Sequence, residues 1–149
     1  MTYTSIVVGT DGSPSAERAI EQAASLAAAD GARLVIVTAY HEGDSPTHDV
    51  AAEAVPEDIR YVLTDRVQAE ELAGRGRGVA HEAGARSVVV QALPGEAAGA
   101  IIEAAADFGA DLIVVGSRGL DSHAHFILGS VASSVAHHAP CDVLVAHTV

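Results

Sequence analysis

Short β-branched runs alternate with longer, alanine-rich stretches along the whole chain. Ser5-Ile6-Val7-Val8-Gly9, Leu34-Val35-Ile36-Val37-Thr38-Ala39, Ser87-Val88-Val89-Val90-Gln91, Leu112-Ile113-Val114-Val115-Gly116 and Val143-Leu144-Val145 read as five strands. The first four are nearly continuous in apolar residues, which marks strands covered on both faces and hence a parallel sheet. Such strands need crossover helices between them. The pattern therefore predicts βαβαβαβαβ, an open doubly wound α/β sheet with helices on both faces. Right-handed crossovers leave few arrangements. The order 3-2-1-4-5 sets strands one and four side by side where the winding reverses, and ligands of open α/β sheets bind beyond the carboxyl ends of the strands at that switch.

Local signals place the helices. Ser13 is a good N-cap, Pro14 suits the first helical position, Ala16, Ala19, Ile20, Ala23 and Ala27 form a stripe, and Gly31 ends the helix. A third helix is expected over 95–108, with Ala98, Ile101, Ile102, Ala105 and Phe108 inward and Gly109 as the stop. A fourth starts near Gly129 and ends before Pro140. The second, somewhere between Asp58 and Ala83, carries Gly74, Gly76 and Gly78. Each costs about 1 kcal/mol relative to Ala, so a frayed or broken helix is expected. The segment 41–57, with Gly43, Pro46 and Pro56, reads as a surface loop. The 149 residues fit one domain, 1–149, that folds without a disulfide or structural metal.

Composition narrows the function. The chain has 20 acidic against 8 basic residues and a formal charge of −12. Nucleic-acid partners and anionic membrane surfaces are poorly matched by that balance. The Arg-Gly repeat at 75–78 is weak evidence against it. All the basic residues are Arg. Without Lys there is no Walker A loop, no kinase strand lysine and no Schiff base. Heavy acidity without Lys suits either a salt-rich cytoplasm or a GC-rich genome. One cysteine, Cys141, excludes an intrachain disulfide framework and reads as a small buried apolar residue. With no signal-peptide pattern at the start, a cytoplasmic location is expected.

Strand four runs straight into Gly116-Ser117-Arg118-Gly119. Nine residues, Leu120 to Leu128, precede Gly129-Ser130, where the last helix opens. The glycines let backbone turn sharply and approach a ligand. The first helical amides lack intrahelical partners and sit at the positive end of the dipole, which suits a phosphate. The Ser130 hydroxyl adds a further hydrogen bond. The competing reading, ordinary turn glycines and a cap, does not account for the spacing.

That spacing resembles the ATP-binding branch of the universal stress protein family: Gly, two residues, Gly, nine residues, Gly, then Ser or Thr. The resemblance includes Ile6-Val7-Val8-Gly9-Thr10-Asp11-Gly12-Ser13, the Gly95-Glu96 turn and Pro140-Cys141-Asp142-Val143-Leu144-Val145. It implies an ATP site (or ADP or AMP) in a Rossmann-like domain. Asp11 would contact the ribose or the nucleotide's Mg2+, its alternative role being to brace the Gly12-Ser13 turn. Thr10 would line the site, Ala39 would read adenine through its main chain, and Val131 and Ala132 would offer amides to the phosphates. It also implies a homodimer through the last strand. The nine-residue stretch departs from the family in holding Asp121, His123 and His125 and no Arg or Lys, leaving Arg118 as the permanent cation. Neither His123 with His125 nor His137 with His138 puts two imidazoles on one helix face, so no dedicated metal site is expected. No catalytic set is evident, so slow incidental hydrolysis is the most that is expected. The alternatives are a nucleotide-hydrolysing or adenylate-forming enzyme of the same fold, against which the Thr10-Asp11-Gly12-Ser13-Pro14 turn counts, and a scaffold that has lost its nucleotide, against which the glycine pattern counts.

Overall fold

The structure is a computed structural model; it describes residues 2–41, 65–117 and 129–148. Five parallel strands, β1 (Ser5–Gly9), β2 (Arg33–Tyr40), β3 (Ser87–Pro94), β4 (Leu112–Gly116) and β5 (Asp142–Ala146), form one sheet of order β3-β2-β1-β4-β5. Four helices are described: α1 (Pro14–Asp30), α2 (Arg66–Glu82), α3 (Ala97–Asp107) and α4 (Ser130–His138). β1 pairs with both β2 and β4, so the winding reverses between β1 and β4.

Alternation along the strands separates two cores. Ile6, Val8, Leu34, Ile36, Leu112 and Val114 face α1 and α2. Val7, Val35, Val37, Ile113 and Val115 face α3 and α4. Both sets are buried, which is why neighbouring residues on one strand are equally apolar.

The ends of α1 follow local chemistry. The Ser13 side chain accepts from the Ala16 N–H at 3.1 Å, and Gly31 takes the left-handed conformation at φ 69°, which Gly adopts without Cβ strain. Ala19, Ile20, Ala23 and Ala27 of the expected stripe are buried, and Ala24 joins them. In α3 the inward residues are Ala100, Ile101, Ala104 and Ala105, while Ala98, Ile102 and Phe108 are only half-buried.

The expectation of a broken second helix is wrong. α2 runs unbroken for 17 residues, opened by Asp65, whose carboxylate accepts from the Gln68 N–H. Its glycines are not equivalent. A Cβ on Gly76 would lie 3.1 Å from Ile20 Cδ1 and 3.2 Å from Ile36 Cγ2, whereas Gly74 and Gly78 would meet nothing within 4 Å. Gly76 lets α2 settle against α1 and β2, and that packing outweighs the weak helix propensity. Strand β3 continues three residues past Gln91 to Pro94, in register with Tyr40. It is an edge strand, where a terminal Pro is tolerated.

Candidate functional site

The carboxyl ends of β1, β2 and β4 open into one cleft, which α3 and the first turn of α4 complete. It encloses about 670 Å³ of empty space, counting the part continuous with solvent. Its apolar lining includes Val37, Ala39, Ala97, Ile101 and Val115. Its polar lining is made by Thr10, Asp11, Ser13 and Ser130.

Gly129 and Ser130 bring main-chain donors to the cleft. Gly129 is the N-cap of α4 and its carbonyl accepts from the Ser133 N–H at 2.9 Å. The amides of Ser130, Val131 and Ala132 therefore precede the first intrahelical bond. Among the described residues no side chain caps them, whereas Ser13 and Asp65 cap α1 and α2. All three residues line the cleft, so uncapped N–H groups and the positive end of the helix dipole border it. The Gly129 N–H donates to the Ser117 carbonyl at 3.1 Å, and the Ser117 N–H donates to the Ala146 carbonyl at 2.8 Å. These bonds fix where α4 begins relative to the ends of β4 and β5.

The turn after β1 also lines the cleft. The Asp11 Oδ1 accepts from the Ser13 N–H at 2.9 Å, and Thr10 Oγ1 accepts from the Gly12 N–H at 3.1 Å. Asp11 thus braces the turn, the alternative weighed for it, and also borders the cleft. The Thr10 N–H donates to the Val37 carbonyl, so the turn is anchored to β2.

Eight of the residues singled out in the sequence, Thr10, Asp11, Ala39, Gly116, Gly129, Ser130, Val131 and Ala132, come together around this one cleft. Arg118 and Gly119 lie outside the described residues, as do His123 and His125. The sequence reading missed Gly9, Ser13, Ala16, Val37, Ala97, Ile101 and Val115, which also line it. Gly9 carried a signal: it ends β1, and a Cβ there would lie 2.5 Å from Ile101 Cδ1. Its missing side chain is what lets α3 bring Ile101 over the strand ends. Cys141 is half-buried against the α3/α4 core rather than fully enclosed. Burial first, then Asp142 and Asp111, raises its thiol pKa. Among the described residues no group of three or more His, Cys, Asp or Glu could hold a metal, and no helix is long and apolar enough to cross a membrane.

Comparison with known proteins bears on this geometry. The sequence pattern that defines the Universal stress protein family matches residues 2–147. A universal stress protein of Mycobacterium tuberculosis (strain H37Rv) is 40% identical over 147 residues, covering 98% of this chain and 97% of that one. A putative universal stress protein of Staphylococcus aureus (strain USA300) is 34% identical, covering 99% and 86%. Among solved structures, a universal stress protein in complex with cAMP superposes with a TM-score of 0.74 at 34% identity, over the full length of both chains. The universal stress protein UspA from Lactobacillus plantarum gives 0.75 at 26% identity, covering 97% and 98%. With the family pattern spanning nearly every residue and relatives aligned end to end, the chain belongs to the universal stress protein family.

Proposed function

We propose that the protein binds an adenine nucleotide in this cleft, ATP with Mg2+ for preference, and that occupancy sets its shape or its partners in a stress response. One observation carries the reading: the amides of Ser130, Val131 and Ala132, uncapped among the described residues, border a cleft that also has an apolar lining. Phosphate oxygens would accept from those amides and from the Ser130 hydroxyl. The base would lie against the apolar lining, its edge read by the Ala39 main chain. Asp11 is the one carboxylate among the described lining residues. It fits a ribose hydroxyl or a Mg2+ that the nucleotide brings with its phosphates, which needs few protein ligands. A cation would also offset the chain's own negative charge near a triphosphate.

A second reading, a nucleotide with a single phosphate, draws on two observations. The related structure at 34% identity holds cAMP. The described lining of this cleft has a carboxylate and no Arg, so it suits a lower charge. In neither reading is the protein a dedicated enzyme; Ser130 has no base beside it in the described lining. The proposal includes a cytoplasmic location and a homodimer in which the open edge of β5 pairs with a second copy. Nucleic acid and membrane are not among the proposed partners.

Thermal unfolding with and without each nucleotide tests the reading. A ligand at about 100 times its dissociation constant stabilises by about 2.7 kcal/mol. Mg-ATP, AMP and cAMP in parallel rank the two alternatives. No shift with any of the three at millimolar concentration contradicts nucleotide binding, and rapid phosphate release from ATP contradicts a pure binding module.

A further inference from the structure

Thr148 lies two residues beyond β5 and is buried, 5% of the residue being exposed. A hydroxyl so buried is retained where it is hydrogen-bonded. Every polar atom of Thr148 is engaged. Its N–H donates to Ser117 Oγ at 3.2 Å. Its Oγ1 accepts from Ser15 Oγ and lies 3.4 Å from Ser117 Oγ. Its carbonyl accepts from Arg18 Nη1 at 2.8 Å. The partners belong to different parts of the cleft's frame. Ser15 and Arg18 are on the first turns of α1, directly after the Asp11–Ser13 turn. Ser117 follows Gly116 and receives the Gly129 N–H that opens α4.

We propose that Thr148 is a positioning residue for the cleft, tying the start of α1 to the Ser117–Gly129 neck so that the Asp11 turn and the α4 amides keep a fixed separation. The two walls come from segments more than 100 residues apart in the chain. Between α1 and the neck, Thr148 supplies a direct hydrogen-bonded link. The link is built from hydroxyls and main chain, with one guanidinium, so it is geometric rather than a long-range charge effect. A phosphate chain that must reach amides on one wall and a carboxylate or its Mg2+ on the other needs that separation held in advance. This last step rests on the nucleotide reading; the tie itself does not.

Thr148→Val removes the hydroxyl with little change of volume, and Thr148→Ser restores it. Amide hydrogen exchange on the nucleotide-free protein reads the tie directly. Thr148→Val is expected to speed exchange of the Ser117 and Gly129 amides roughly three- to tenfold, the loss of about one hydrogen bond. Exchange of Val7 and Val114, in the strand cores, should stay at wild-type rates, and Thr148→Ser should behave as wild type. Affinity for Mg-ATP, or for AMP if that binds better, should fall by a similar factor. If Thr148→Val does not fold, Ser15→Ala attacks the same link from α1. Wild-type exchange at Ser117 and Gly129 overturns the proposal. So does faster exchange at neck and core together, which marks a merely stabilising contact, or unchanged affinity where the wild type binds. If the wild type binds no nucleotide, the function proposed above fails while the exchange measurement still decides the tie.

Discussion

Gly129 has φ −59° and ψ 159°, a conformation open to any residue. A side chain there imposes no backbone strain, but a branched one would project where phosphate must approach the α4 amides. Gly129→Val is therefore expected to abolish nucleotide binding while leaving the far-UV circular dichroism and cooperative unfolding intact; retained affinity by calorimetry contradicts that placement. Ser130→Ala should weaken binding by on the order of 1 kcal/mol, and an unchanged dissociation constant removes its hydroxyl from the site. At the opposite end of the sheet, Asp111 accepts from the N–H groups of Thr4 and Ser5 at 2.9 and 3.0 Å and from the Thr4 hydroxyl. Burial pushes its pKa up, but these hydrogen bonds outweigh it and the net value lies below the ordinary 3.8. With the folded pKa depressed, the ionised carboxylate's contribution is complete above the unfolded pKa and is lost as pH falls through the folded one. Asp111→Asn should lower Tm at pH 7 by about 2–4 °C, the effect of about 1 kcal/mol in a chain this size, because exposure to solvent weakens these charge-assisted bonds. The gap to wild type should close as pH falls below about 4. Equal melting at pH 7 contradicts the assignment.

Helix α2 shows how packing decides an element that local propensity leaves doubtful. Gly74 and Gly78 face open space and Gly76 faces Ile20 and Ile36. Gly74→Ala and Gly78→Ala should each stabilise by about 0.5–1 kcal/mol through helix propensity alone. Gly76→Val should destabilise by about 1–3 kcal/mol, because Ile20 and Ile36 would have to give way. Urea unfolding of the three variants checks the contrast; the same sign at all three positions contradicts it. The elements most legible in the sequence were those with chemical punctuation. Ser13, Pro14 and Gly31 mark both ends of α1, and Gly9 and Gly116 close β1 and β4. The reading of β3 stopped at Gln91 because Ala92, Leu93 and Pro94 do not look like a buried strand, yet an edge strand pairs on one side only. The spacing Gly116, Gly119, Gly129 and Ser130 pointed to the cleft. Its apolar lining was hidden, because Val37, Ile101 and Val115 are indistinguishable by type from the residues packed in the two cores. The Ser15–Thr148 link spans 133 positions, and no local pattern announces a contact of that range.

At the scale of the molecule, β1 and β4 lie side by side, and the switch in winding between them leaves the cleft at their carboxyl ends. The family's sequence pattern covers residues 2–147, so fold, cleft and kinship agree across the domain. What the whole molecule is proposed to do turns on the start of α4. Titrating 15N-labelled protein with Mg-ATP, AMP or cAMP while following backbone amides tests this most directly. The account predicts saturable shifts at Ser130, Val131 and Ala132, larger than those of Val67, an exposed residue of α2 that does not line the cleft. Saturable nucleotide binding that leaves these three amides unmoved, or no binding of any of the three nucleotides, would contradict it.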